Sequence, residues 1–210
     1  MNGIKALNIE KYAKKNKLAF VRFNCRGHGN SYGKFNDFNI SDWKEDVIDV
    51  IDNLTKGPQV LIGSSMGGWL MILAAKARQK RIQGLIGLAA AVDFGKDLYN
   101  SLNKKNIKEI KKNGITKYSS NGFSYYLTSN FFKEADKNNI LSKSLKLSKP
   151  LIFIHGMKDR LIPYRHSLLL QKLNERIQLI RVKEAGHNNL PSFTQYHNMV
   201  FEILNETYAK

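Results

Sequence analysis

Hydrophobic and polar residues follow two alternating patterns along this chain: short apolar runs, and longer segments whose apolar residues recur every three or four positions. The short runs predict strands at residues 18–23, 59–62, 81–91, 149–159 and 177–182. The longer segments predict helices at residues 3–16, 41–55, directly after Ser65, 163–173 and 192–208. Because strands and helices alternate, we expect an α/β fold with a mainly parallel sheet and helices on both of its faces.

The second predicted helix carries a start signal. Ser41 is its expected N-cap, and acidic residues follow in the first turns, where the helix dipole favours them. Its expected buried face consists of Val47, Ile48, Val50, Ile51 and Leu54.

The apolar pattern weakens between residues 93 and 148, which are polar, rich in lysine and interrupted by Gly114 and Gly122. We expect a cap-like insertion there, within a single domain that spans residues 1–210. Its aromatic residues either pack the insertion onto the rest of the domain or line an apolar substrate pocket, and the sequence leaves both roles open. They are Tyr118, Phe123, Tyr125, Tyr126, Phe131 and Phe132.

Composition argues against several classes of protein. No apolar run reaches the roughly 18 residues that cross a bilayer, and the N-terminus has no apolar secretory core, so we expect no membrane span and a cytoplasmic location. The single cysteine, Cys25, cannot form an internal disulfide. The net charge of +17 favours non-specific contact with polyanions, but the basic residues form no nucleic-acid-binding motif, so we expect no specific nucleic-acid partner.

A Gly-x-Ser-x-Gly motif separates the strand at residues 59–62 from the helix that follows. A sharp turn that exposes a serine hydroxyl brings neighbouring backbone close, so we expect Gly63 and Gly67 to be required because they have no Cβ. Ser65 at the centre is the candidate nucleophile of such a nucleophile elbow. The backbone N–H of Met66 lies at the helix start and is the expected oxyanion donor.

Two further residues complete a candidate catalytic triad in the chain order Ser, Asp, His. Asp159 and His187 each follow a predicted strand, as Ser65 does, and functional residues of parallel sheets collect at that edge. His187 would be the general base and acid, and Asp159 would orient its imidazole. Taken singly, the three could instead be a turn serine, a helix-capping acid and a surface histidine.

The remaining histidines suggest neither catalysis nor a metal site. We expect His155 to be structural, and His28, His166 and His197 have no partner pattern. The loop with Gly27 and Gly29 differs from a dinucleotide-binding loop in two ways. Its third glycine, Gly33, comes one position too late, and no helical pattern begins there. We therefore expect no cofactor and no metal.

Three runs resemble the alpha/beta-hydrolase superfamily, and within it the family of mitochondrial acyl-protein (palmitoyl) thioesterases and acyl-glucuronide esterases with their bacterial relatives. The runs lie at residues 1–7, 57–71 and 154–159. A fourth, at residues 22–31, is similar to a superfamily loop, with Asn24 where aspartate is usual. The resemblance implies a triad of Ser65, Asp159 and His187, an oxyanion donor at Met66, and acyl thioesters or activated oxygen esters as substrates.

The resemblance also implies one departure. In the family an apolar strand and a loop with the second oxyanion donor precede the run that resembles residues 1–7, and the strand lies in the sheet between the segments at 18–23 and 59–62. Both are missing from this sequence, and we expect Met1 to be an internal methionine of a longer chain. Losing one oxyanion donor costs about two to three orders of magnitude in rate.

The sequence therefore predicts a serine hydrolase that cleaves acyl thioesters or carboxylic esters through an acyl-serine intermediate. The alternative is a catalytically weakened or inactive binding protein on the same fold, which lacks part of its oxyanion hole. Nucleic-acid binding through the basic surface is a third hypothesis, and it predicts an affinity that falls steeply with salt.

Overall fold

The computed structural model describes residues 3–120, 123–142, 145–188 and 190. The strands in these ranges are β1 (Gln59–Ser64), β2 (Ile82–Leu88), β3 (Ile115–Ser120), β4 (Phe123–Thr128), β5 (Leu151–Gly156) and β6 (Ile177–Val182). The α-helices are α1 (Ile4–Lys15), α2 (Ile40–Leu54), α3 (Met66–Ala77), α4 (Phe94–Asn100), α5 (Lys104–Asn113), α6 (Ser129–Lys137) and α7 (Arg165–Leu173).

The main sheet is parallel throughout, in the order β1-β2-β5-β6. Side chains alternate along its strands, so Ile86 of β2 and Ile152 of β5 pack with Ile9 of α1 on one face. Leu85 and Phe153, one position away, join the core with α2 and α3 on the other face. This is the predicted alpha/beta-hydrolase fold, with helices on both faces of the sheet.

The predicted strand at residues 18–23 is wrong, because this segment forms no strand. A strand needs a neighbour for its backbone N–H and C=O groups, and a groove of about 340 Å³ lies between this segment and β1. Within the described ranges β1 pairs with β2 alone. Val60 and Ile62 are consequently partly exposed, whereas the apolar run predicted a strand covered on both faces.

Helix α2 begins one residue before the predicted N-cap. The cap is Asn39, whose side-chain oxygen accepts from the N–H groups of Ser41 and Asp42, while the Asp42 carboxylate accepts from the Asn39 N–H. This reciprocal capping box satisfies more of the unpaired N–H groups than Ser41 alone would. Ile48 is buried as predicted, but Leu54 is 65% exposed.

The segment between β2 and β5 contains α4, α5, the antiparallel β3–β4 hairpin and α6. Phe131 of α6 is 2% exposed, and its ring lies 6.2 Å from the rings of both Trp43 and Phe94. Tyr125 packs edge-on against Phe35 at 5.4 Å. Phe131 and Tyr125 thus pack the segment onto the domain, whereas Tyr126 is 48% exposed. A cap with the boundaries 93 and 148 stays a prediction.

The other predicted elements form close to their expected positions. Helices α1 and α7 begin within two residues of the predicted starts, and β6 covers the predicted residues. The predicted final helix at 192–208 lies outside the described residues. None of the helices in the described ranges combines the length and apolar character needed to cross a bilayer.

Candidate active site

Ser65 occupies the turn between β1 and α3 in a backbone conformation that side chains rarely adopt, with φ 53° and ψ −125°. Its N–H donates to the carbonyl of Leu88 at 3.0 Å, and its carbonyl accepts from the N–H groups of Gly68 and Ala91 at 2.9 Å. The bonds with Leu88 and Ala91 fasten the turn to the end of β2, and the bond with Gly68 closes the turn itself. Strain of this kind persists only where the surrounding structure enforces it, and it concentrates at functional sites.

Two glycines make the turn possible, and one of them was not predicted. A Cβ on Gly63 would lie 2.3 Å from the carbonyl oxygen of Gly67, so the sequence reasoning on Gly63 holds. A Cβ on Gly67 would meet nothing within 4 Å, so the prediction that Gly67 is needed for space is wrong. Gly68 is the second tight position, where a Cβ would lie 2.5 Å from the Cβ of Ala90. The close approach brings α3 against the chain that leaves β2.

Met66 is the first residue of α3. Its N–H belongs to the first turn, where N–H groups have no acceptor within the helix and the positive end of the dipole favours anions. Its position is that of an oxyanion donor, and the role itself stays a prediction.

The structure brings the other two predicted residues to Ser65. Nε2 of His187 lies 3.1 Å from Oγ of Ser65, and Nδ1 of His187 lies 2.8 Å from Oδ2 of Asp159. Ser65 follows β1, Asp159 follows β5 and His187 follows β6, all at the carboxyl edge of the sheet. The Asp159 side chain is fully buried and that of His187 is 13% exposed. Because a carboxylate only accepts, Nδ1 carries a proton and Nε2 faces the hydroxyl with its lone pair.

The second carboxylate oxygen of Asp159 also has partners. Oδ1 accepts from the backbone N–H groups of Leu161 and Ile162, at 2.9 and 2.8 Å. Asp159 is therefore the partner of His187, as predicted, but it is not the helix-capping acid of the alternative: α7 begins at Arg165 after the N-cap Tyr164, and Oδ1 of Asp159 bonds the loop before it. Fixing one oxygen on the backbone aims the other at the imidazole.

His155 is a further neighbour of Asp159 that sequence reasoning took for a structural residue only. Its Nε2 lies 3.0 Å from the carbonyl oxygen of Ile162 and 3.4 Å from Oδ2 of Asp159, and its Nδ1 lies 2.7 Å from Oγ of Ser167. Burial lowers the pKa of His155, so the neutral imidazole donates from Nε2 to Ile162. The spacing of four residues to Asp159 is the only sequence signal for this contact.

Other histidines make contacts of a structural kind. His28 packs edge-on against Phe35 and Trp43. His166 is buried between the carbonyl of Val92 and the carboxylate of Asp97, at 2.7 Å from each. His197 lies outside the described residues.

Lys5 is a residue near the site to which the sequence reasoning gave no role. Its Nζ donates to Oγ of Ser64 at 3.1 Å and to the backbone carbonyl of His187 at 3.2 Å. Burial lowers the pKa of Lys5, and the negative charge of Asp159 opposes that shift. One local signal was available, namely a lysine in the first turn of a helix, where the dipole disfavours a cation.

The chain matches a family model described as "Serine aminopeptidase, S33" (Hydrolase_4) over residues 8–130, which is more than half of its length. This match includes Ser65 and ends before Asp159 and His187.

Curated relatives and solved structures agree with the family model. The chain is 40% identical over 193 residues to the palmitoyl-protein thioesterase ABHD10, mitochondrial, of Bos taurus, a match that covers 89% of this chain and 63% of the relative. The solved structure of mouse alpha/beta hydrolase domain-containing protein 10 superposes with a TM-score of 0.85 at 32% identity, covering 98% of this chain and 85% of that one. A putative hydrolase from Agrobacterium vitis S4 superposes with a TM-score of 0.89 at 26% identity, covering 96% and 82%.

These comparisons bear on the predicted cytoplasmic location and on the resemblance found in the sequence. The bovine relative is named as mitochondrial, so the predicted cytoplasmic location finds no support in its name. The chain spans just under two thirds of that relative's length. The family match, the shared fold and the similarity to ABHD10 confirm the resemblance found in the sequence, and the chain belongs to the serine aminopeptidase S33 family of the alpha/beta-hydrolase superfamily.

Proposed function

We propose that this protein is a serine-dependent hydrolase that cleaves acyl thioesters or carboxylic esters through an acyl-serine intermediate. The observation that carries the proposal is the hydrogen-bonded series from Oδ2 of Asp159 through His187 to Oγ of Ser65, with separations of 2.8 and 3.1 Å. A hydroxyl is a weak nucleophile unless an adjacent base takes its proton, and a third group must orient that base.

The first half of the reaction transfers the acyl group to the enzyme. Nε2 of His187 takes the proton of Ser65 as Oγ bonds to the carbonyl carbon, and the carbonyl oxygen becomes an oxyanion. The intermediate then collapses, the bond from carbon to the leaving sulfur or oxygen breaks, and Nε2 returns the proton to the leaving thiol or alcohol. Asp159 stabilises the imidazolium while it exists and does not itself take the proton.

The second half returns the enzyme to its starting state. Nε2 of His187 takes a proton from water, whose oxygen bonds to the acyl carbon. Collapse of this second intermediate breaks the bond to Oγ of Ser65, which regains the proton from His187. The products are a carboxylic acid and the free thiol or alcohol, and no cofactor enters the balance.

Stabilisation of the oxyanion falls to the N–H of Met66 in this proposal. One donor of an oxyanion hole is worth about 10²–10³ in kcat. A second donor would come from another backbone N–H near the carboxyl edge of the sheet, since oxyanion holes commonly combine two.

The substrate class draws on the relatives as well as on the site. The bovine relative is named a palmitoyl-protein thioesterase, which favours an acyl thioester over other activated esters.

The proposal is tested by measuring turnover of p-nitrophenyl esters and of acyl thioesters. Ser65→Ala should lower kcat by about 10⁶, the loss found when a triad serine is removed. Ser101→Ala is the matched control, because its exposed hydroxyl donates to the carbonyl of Leu98 in the preceding helix α4. Equal turnover by wild type and Ser65→Ala would refute the proposal.

A fluorophosphonate probe separates this proposal from the alternative of a binding protein on the same fold. Covalent labelling of Ser65 requires an activated hydroxyl, and we expect one label per molecule, absent in Ser65→Ala. A folded wild-type protein that takes up no label and turns over neither substrate would support the binding protein.

A further inference from the structure

Lys5 joins three parts of the chain that are distant in sequence. It lies in the first turn of α1, its Nζ is 3.1 Å from Oγ of Ser64 at the end of β1, and it is 3.2 Å from the carbonyl oxygen of His187 in the loop after β6. Ser64 directly precedes Ser65. A single ammonium group therefore connects the main chain of the candidate general base to the strand that carries the candidate nucleophile.

This placement of Lys5 is energetically unfavourable by itself. The ammonium is half-buried, and it lies at the positive end of the α1 dipole, where the first turn contains no acidic residue to offset it. The charge of Asp159 supplies part of the compensation. Other lysines of α1, such as Lys11, are exposed to solvent at no such cost. Local rules are most often broken at functional sites.

Lys5 contacts His187, and the rate of the proposed reaction depends on the position of that residue. His187 lies in a loop beyond β6, so its backbone is not held by a strand or helix. Two residues earlier, the carbonyl of Ala185 accepts from the N–H of Lys158 at 3.0 Å. At His187 itself the side chain bonds Asp159 and Ser65, and the backbone carbonyl accepts from Lys5. A displacement of about 1 Å in a catalytic group can cost about 10²-fold in rate.

We propose that Lys5 is a positioning residue, which holds the backbone of His187 against Ser64 and thereby sets the distance between Nε2 of His187 and Oγ of Ser65. The inference rests on the proposed hydrolase function and adds a residue from α1 to its machinery. Lys5 acts through His187 and has no contact with the reacting atoms in this account.

The first test compares Lys5→Met with Lys11→Met. Both changes remove one positive charge from α1, but only the first removes the two hydrogen bonds. We expect Lys5→Met to lower kcat by about 10–100-fold with KM unchanged, because the base is displaced while substrate binding is not. The rate of fluorophosphonate labelling of Ser65 should fall by the same factor, and Lys11→Met should match wild type in both measurements.

Chemical rescue supplies a readout that a merely structural role would not give. Lys5→Cys treated with 2-bromoethylamine acquires a side chain that ends in an ammonium at nearly the length of lysine. We expect this treatment to restore most of the lost kcat. Burial raises the pKa of Cys25 to about 12, so Cys25 supplies little thiolate to the reagent, and wild type treated in parallel controls for it.

The outcomes separate the two proposals. All rates are compared below the unfolding temperature of each variant, so loss of fold does not count as loss of catalysis. If Ser65→Ala is inactive but Lys5→Met retains the wild-type kcat, the role of Lys5 is refuted and the hydrolase proposal stands. The same conclusion follows if aminoethylation of Lys5→Cys does not restore the kcat that this variant has lost. If wild type shows neither turnover nor labelling, both proposals fail together.

Discussion

Asp159 and His187 are joined by a hydrogen bond of 2.8 Å between Oδ2 and Nδ1, although 28 positions separate them in the chain. The carboxylate has a fixed orientation because its other oxygen, Oδ1, accepts from the N–H groups of Leu161 and Ile162. Two backbone donors thus determine which oxygen faces the imidazole. The arrangement separates a structural function of Asp159 from its proposed function in the reaction, and substitutions can test the two apart.

Asp159→Asn should retain the fold and lose activity. The amide oxygen can still accept from Leu161 and Ile162, but the amide nitrogen then faces Nδ1 of His187 and favours the wrong imidazole tautomer. We expect kcat to fall by about 10⁴, as for the equivalent change in a serine protease triad. Asp159→Ala should lose similar activity and also about 1–3 kcal/mol of unfolding free energy, since the N–H groups of Leu161 and Ile162 lose their acceptor and that of Ile162 is buried. Steady-state kinetics and urea unfolding measure both. An active Asp159→Asn enzyme would contradict this assignment.

Gly68→Ala should destabilise the protein, whereas Gly67→Ala should not. The added methyl at 68 would lie 2.5 Å from Cβ and 2.9 Å from Cα of Ala90, and at 67 it would enter open space. Overpacking of this kind costs about 1–3 kcal/mol, while alanine in place of glycine within a helix gains about 0.5–1 kcal/mol. Urea unfolding of the two variants gives the comparison directly. Equal free energies of unfolding would show that α3 and Ala90 can separate without cost.

His155 should make the protein less stable as the pH falls below 6.5. Its folded-state pKa is lowered by burial from the ordinary value of 6.5, so the unfolded chain binds the proton first. The stability contribution is therefore fully present above pH 6.5 and is lost as the pH falls toward the lowered pKa, with a slope of up to about 1.4 kcal/mol per pH unit.

His155→Gln is the variant that isolates this titration. It should be less stable than wild type at pH 7.5, because one buried hydrogen bond is lost, but its unfolding free energy should fall less steeply between pH 6.5 and 5. Unfolding by urea at several pH values measures the slopes. Parallel curves for the two proteins would mean that His155 does not titrate in this range.

Phe131 should contribute far more to stability than the neighbouring aromatic Tyr126. Phe131 is 2% exposed and contacts the rings of Trp43 and Phe94, whereas Tyr126 is 48% exposed. Phe131→Ala should cost about 3–5 kcal/mol, and Tyr126→Ala about 0.5 kcal/mol or less. Thermal unfolding of both variants provides the measurement. A small effect of Phe131→Ala would indicate that the segment packs on the domain more loosely than its contacts suggest.

Local sequence was sufficient wherever one segment decides its own structure. The β6 strand at residues 177–182 and the turn around Ser65 were predictable, because apolar period and glycine placement act over a few neighbouring positions. The order of Ser65, Asp159 and His187 could be read as a triad because each follows a strand of one parallel sheet. Parallel strands present their carboxyl ends on one edge of the sheet, so residues that follow those strands lie close together.

Prediction failed where the answer depends on a distant part of the chain. Residues 18–23 have a strand-like composition but face a groove and not a strand, so the ladder that would make them a strand is absent from the described residues. Gly68 matters because Ala90, beyond the next strand, lies against it. The N-cap of α2 is a local exception, because Asn39 and Ser41 are both good capping residues and stand two positions apart.

The sequence by itself determined the fold class, the elbow and the identity of the three candidate residues, because hydrophobic periodicity, glycine positions and the order of the motifs are properties of the sequence. Only the tertiary structure decided that Nε2 of His187 stands 3.1 Å from Oγ of Ser65, that His155 adjoins Asp159, and that Lys5 reaches the backbone of His187 from 182 positions away. The physical reason is the distance over which each effect acts. Conformational propensity acts between residues close in sequence, whereas distances between side chains of different elements are set by how those elements pack together.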